Sequence, residues 1–117
     1  MSESQEFRVL VCGGRNYVDE YMVDLAIWSL DSSNLTIIHG GARGADSLAG
    51  QIAEAKGIPV EVHHADWETH GKAAGFIRNQ KMLDSGVHMV LAFPGGAGTE
   101  DMKRRAKDAG VLVLEIG

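Results

Sequence analysis

One cysteine in the whole chain, Cys12, excludes an internal disulfide and points to a reducing compartment, the cytoplasm. No apolar run approaches the roughly 20 residues that a membrane-spanning helix needs, so no membrane partner is expected. The polar start MSESQEF has nothing of a secretory leader. Positive charge is also in short supply. Eleven basic against sixteen acidic residues leave a net charge of −5, which opposes non-specific attraction to nucleic-acid phosphates. Aromatic residues make up only 6%, and there is no basic stripe with spaced aromatics of the kind that binds single strands. No linker, low-complexity tract or fixed-period repeat divides the sequence. Its 117 residues suffice for one core without staples, so residues 1–117 are read as a single domain.

Glycine is what the chain has in excess: fifteen residues, about 13% against a usual ~7%. Five short apolar runs, 7–12, 35–39, 59–64, 87–93 and 111–116, are near-continuous in the manner of strands covered on both faces. Segments of helical period lie between them, within 18–31, 45–57, 72–86 and 99–110, three of them stopped by Gly57, Gly86 and Gly110. This alternation predicts a Rossmann-like, doubly wound α/β domain: a five-stranded parallel sheet in the order 3-2-1-4-5 with helices on both faces. In helix 18–31, Val18, Tyr21, Met22, Leu25 and Trp28 are taken as the core stripe. A second apolar line, Val23, Ile27 and Leu30, then lies outside and predicts a homo-oligomer.

Ligands of such sheets bind outside the carboxyl ends of the strands, and eight of the fifteen glycines fall there. Gly13, Gly14, Arg15 and Asn16 follow the first strand. Gly40, Gly41, Arg43 and Gly44 follow the second. Pro94, Gly95, Gly96, Gly98 and Thr99 follow the fourth. Glycine allows positive φ and close backbone approach, and arginines beside exposed N–H groups suit phosphate or carboxylate. Asp46 and Asp101, in first helical turns, complement the helix dipole or accept hydrogen bonds from ribose hydroxyls. The long connection 65–75 adds Trp67 for stacking and His70 for hydrogen bonding. His63 and His64 point to opposite faces of a strand and do not make a metal site. Cys12 reads as a small buried hydrophobe, and no cofactor is expected.

The strings RVLVCGGRNY, IIHGGARGADSLA, ADWETHGKAAGFIRNQKML and VLAFPGGAGTEDM together resemble the YspA-like family of the SLOG superfamily over nearly the whole chain. That resemblance implies a Rossmann-like fold and a nucleotide or nucleotide-derived ligand. Related Lonely Guy phosphoribohydrolases, which release a base from a nucleoside monophosphate, carry PGGxGTxxE preceded by an Arg-Lys pair. Pro94 to Thr99 reproduce PGGxGT, and Arg78 with Asn79 stands where the pair would be. The final glutamate is replaced by Met102, whose thioether has no proton or charge chemistry to offer.

Three functions remain open at this point. A binding module, sensing or sequestering a nucleotide-derived small molecule at the C-terminal edge of the sheet, is favoured by retained turns and a lost acid. An N-glycosidase or nucleotide hydrolase would have to use Asp101, Glu100 or Asp46 instead. Single-stranded nucleic-acid binding is opposed by the charge.

Overall fold

The computed structural model describes residues 6–30 and 33–117. The last residue of the helix expected over 18–31, and most of the polar N-terminus, lie outside the described residues. β1 (Phe7–Cys12), β2 (Leu35–His39), β3 (Val60–Val62), β4 (Met89–Ala92) and β5 (Leu112–Glu115) form one sheet. All pairings are parallel and the order is β3-β2-β1-β4-β5, as the sequence predicts. Five α-helices fill the crossovers: α1 (Glu20–Trp28), α2 (Ala45–Ala55), α3 (Trp67–His70), α4 (Ala74–Asp84) and α5 (Ala97–Asp108). The expected loop 65–75 is largely helical, with α3 running through a 3₁₀ turn at Gly71–Ala73 into α4. Asp66 caps α3 by accepting from the Thr69 N–H at 3.1 Å.

Strand alternation sorts the core into two layers. Val9, Val11, Leu35, Ile37, Leu91 and Phe93 meet Val23, Ala26 and Ile27 of α1 and the alanine face of α2, Ala45, Ala49 and Ala53. Leu10, Cys12, Ile38, Val90 and Ala92 meet Met82 and Leu83 of α4 and Met102 and Ala106 of α5. Gly57, Gly86 and Gly110 end their helices at φ +74°, +95° and +78°, the left-handed conformation expected of them.

One expectation is reversed. In α1 the buried residues are Val23, Ala26 and Ile27, and Leu30 packs against the same core. Val18, Tyr21, Leu25 and Trp28 are exposed, and of the expected core stripe only Met22 packs inward. The outer line assigned to self-association is therefore part of the core. The reason lies in the start of the helix: Asp19 is the N-cap and accepts from the Met22 N–H at 3.1 Å, so Val18 precedes the helix and sets no phase for it. Small Ala26, between Val23 and Ile27, lets this face approach the sheet.

Candidate functional site

The three glycine turns interlock before they offer anything to a ligand. The Gly14 N–H donates to the Pro94 carbonyl at 2.8 Å, and the Gly14 carbonyl accepts from Tyr17 at 3.2 Å and Ala45 at 3.3 Å. A Cβ on Gly14 would come within 3.0 Å of the Pro94 oxygen, and one on Gly95 within 2.7 Å of the Gly14 nitrogen. Gly44, at φ +79°, has the Gly14 carbonyl where its Cβ would be. These glycines serve the contact of turn with turn. Gly96 and Gly98 are different, because a Cβ on either would meet nothing within 4 Å. None of Gly95, Gly96 and Gly98 has positive φ, so the freedom expected of the PGGAGT turn is used for space and not for a left-handed backbone.

A cavity of about 670 Å³ opens at the carboxyl ends of β1, β2 and β4. Gly13, Gly14 and Arg15 reach it from the first turn, Gly40, Gly41 and Arg43 from the second, and Gly96, Gly98 and Thr99 from the start of α5. Asp46 of α2, Trp67 of α3, and Arg78 and Asn79 of α4 complete the residues that the sequence singled out and the fold brings together. Asn16, Gly44, His70, Pro94, Gly95 and Asp101 are not on the wall. Sequence reasoning missed Lys72, Phe76 and Met82, which line the cavity with Gly75 and Asn79. Their spacing of i, i+3, i+4, i+7 and i+10 is a helical face, a signal that was there to be read. His64, weighed only as a metal ligand, also lines it, as do Ala42 and Cys12.

The wall is cationic. Arg78 is held by two of its five N–H groups, Nη1 donating to the Gly40 carbonyl at 2.6 Å and Nε to Asn79 Oδ1 at 3.1 Å. Asn79 in turn donates through Nδ2 to the Gly98 carbonyl at 3.2 Å and to Asp101 at 3.0 Å, so the arginine is fixed to the start of α5. No side chain caps that helix. Gly96, Ala97, Gly98 and Thr99, at its start, line the cavity together with Arg78, and a helix start carries unpaired N–H groups and the positive end of the helix dipole. The Arg15 guanidinium lies 5.9 Å from the Trp67 ring centroid, within cation–π range.

Two carboxylates differ in role. Asp101 is buried and fully engaged, accepting from Asn79, from Arg104 at 2.7 Å and from Arg105 at 2.8 Å. Burial pushes its carboxyl up, but Arg105, Asn79 and Arg104 outweigh that and leave it below the usual carboxylate range. It joins α4 to α5 and is not available for general acid chemistry. Asp46 braces the second turn, its Oδ2 accepting from the Gly40 N–H at 2.9 Å and the Ala42 N–H at 3.3 Å. Burial raises its carboxyl to about 6, partly offset by those N–H groups and by Arg78. The Cys12 thiol is pushed up to about 12 by burial and by Asp46, which makes it inert. Among the described residues no group of His, Cys, Asp and Glu could hold a metal ion, and no helix is long and apolar enough to cross a membrane.

Asp46 has a pH signature. Its folded value lies above the ordinary 3.8, so its contribution to stability is full below about pH 4 and is lost as pH rises through 6. Asp46→Asn keeps an acceptor for both N–H groups and does not ionise. Thermal unfolding from pH 4 to 7.5 is expected to show wild type losing stability relative to Asp46→Asn, and a difference constant with pH would contradict this.

The YspA, cpYpsA-related SLOG family matches residues 7–70, from β1 to the end of α3. Gene 61 protein of Mycobacterium phage D29 is 42% identical over 120 residues, which cover 94% of this chain and 96% of that protein. In three dimensions the chain is similar to DNA processing protein A (DprA) of Streptococcus pneumoniae, with a TM-score of 0.55 and 17% identity. That likeness covers 93% of this chain and 58% of DprA, so the chain spans little more than half the length of DprA. At that identity it speaks for the fold alone.

Proposed function

The chain belongs to the YspA, cpYpsA-related SLOG family, and from that premise we propose that its cavity binds a nucleotide or nucleotide-derived phosphate ester, for sensing or sequestration and without chemical change. The observation that carries this reading is the meeting of Arg78 with the uncapped start of α5 in one cavity. Two independent sources of positive potential converge there, the arrangement that suits a phosphate group. Arg15, Arg43 and Lys72 add charge around it, and Trp67 and Phe76 supply apolar surface on which a base can stack. Asp46 is the carboxylate on the wall, placed to accept from a ribose hydroxyl.

Hydrolysis is the less supported alternative, since Asp46 is already engaged as a brace and Asp101, held by Asn79, Arg104 and Arg105, does not line the cavity. DNA processing, the role that the name of DprA gives that protein, brings nucleic acid as a further alternative. A net charge of −5 weighs against it.

Thermal shift followed by calorimetry with nucleosides, nucleoside monophosphates and nucleoside diphosphates tests the proposal. A ligand at ~100 times its Kd adds about 2.7 kcal/mol of stability, and only phosphorylated compounds are expected to do so. Arg78→Ala should weaken them more than tenfold, about 1.4 kcal/mol or more. Stabilisation by a single-stranded oligonucleotide, with none by any nucleotide, sinks the small-ligand reading.

A further inference from the structure

The sheet is covered unevenly. On one face α4 and α5 pack over the core built on Leu10, Val90 and Ala92, and Val111 and Val113 tuck beneath them. On the other face α1 and α2 join the core of β1 and β2, but Leu112 and Leu114 of β5 are 55% and 42% exposed. These two are in register with Met89 and Leu91 of β4, so they share a face with the α1 layer and have no helix over them among the described residues. Beside this bare strip, α1 turns outward a line of Tyr21, Leu25 and Trp28, continued by Val18 just before the helix; Val18 is 82%, Tyr21 72% and Trp28 73% exposed. None of them lines the ligand cavity.

We propose that this surface is the interface of a two-fold homodimer in which α1 of each copy lies across the β4–β5 strip of the other. An isologous contact requires that if one patch meets another, the reverse contact forms as well. An apolar ridge standing beside an apolar floor on the same protomer meets that condition, because a two-fold axis between them lays each ridge on the partner's floor. The lengths agree: a nine-residue helix is about 13.5 Å long, and a four-residue strand about 13 Å. The partner's helix then occupies the place that a doubly wound sheet fills with one of its own.

Charge and area favour the same occupant. Asp24 of α1 pairs with Lys56, just past the end of α2, at 3.1 Å, and Glu115 of β5 pairs with Lys103 of α5 at 2.8 Å. Both carboxylates are thus already paired within the protomer. With aromatic side chains worth roughly 150–250 Å² each, ridge and strip together expose on the order of 700 Å² per copy. Two copies would bury close to the ~1,600 Å² of a standard specific interface.

Sedimentation equilibrium from 5 to 100 µM tests this. Wild type is expected to be a dimer at 10 µM, and Trp28→Glu and Leu114→Glu, made separately, to be monomers even at 100 µM, a weakening of more than tenfold. Both positions are solvent-exposed, so the variants should keep the wild-type circular dichroism spectrum; Leu112→Lys replaces Leu114→Glu should that variant not fold. A wild-type monomer at 100 µM overturns the proposal. So does a dimer that survives either substitution, because ridge and floor are both required.

Discussion

Gly96→Val is expected to leave a folded protein that no longer binds a nucleoside phosphate. Gly96 is the N-cap of α5 at φ −105°, a value open to any residue, so no left-handed backbone is lost. A Cβ there meets nothing within 4 Å, so the new side chain collides with no part of the protein. What it enters is the cavity, which the start of α5 and Arg78 line together. A branched side chain holds a phosphate away from those donors, and removing several charge-assisted hydrogen bonds at once should lower affinity at least 100-fold, about 2.7 kcal/mol. Gly95→Val is the contrasting control. Its Cβ would overlap the Thr99 hydroxyl and lie 2.7 Å from the Gly14 nitrogen, so it should damage the fold itself. Calorimetry on the two proteins, with circular dichroism as the fold check, separates the effects. Unchanged affinity in folded Gly96→Val would remove the PGGAGT turn from the site.

These neighbouring glycines show where sequence reading reaches its end. Strand order and crossover helices were legible because each apolar run is short, three of the helices are stopped by glycine, and parallel pairing leaves few arrangements. The position of the cavity followed from the fold, and thirteen of the nineteen candidate ligand residues named from sequence line it. Which glycine faces a ligand and which faces another turn was not legible, since both uses favour the same residue. Gly44 and Gly95 went to packing and Gly96 and Gly98 to open space. Asp101 is ambiguous in the sequence for a similar reason. A carboxylate in the first turn of a helix suits a ribose or a dipole equally well, and only the fold shows Arg104, Arg105 and Asn79 around it. The inverted faces of α1 belong here too, because a helix apolar nearly all round has no period that chooses its inner side.

The residue in the place of the related hydrolases' glutamate carries the last expectation. Met102 is fully buried among Leu10, Cys12, Val90 and Ala106 and does not reach the cavity. Met102→Glu therefore does not set an acid beside a ligand. It buries a carboxylate with no partner of its own, at a cost of roughly 3 kcal/mol or more, and at about 4 °C per kcal/mol for a domain of this size Tm should fall by more than about 10 °C. No base release from nucleoside monophosphates is expected to accompany the change. Wild type itself is expected to release none at pH 5 or pH 7.5, since Asp101 is held by two arginines and Asp46 by two backbone N–H groups. Chromatography after prolonged incubation and thermal unfolding read the two results separately. Multiple turnovers by wild type that vanish in Asp46→Asn would replace the binding reading with a hydrolase built on Asp46. A Met102→Glu protein as stable as wild type would mean that position 102 can turn toward the ligand, and the loss of the glutamate would then be a change of chemistry rather than of core packing.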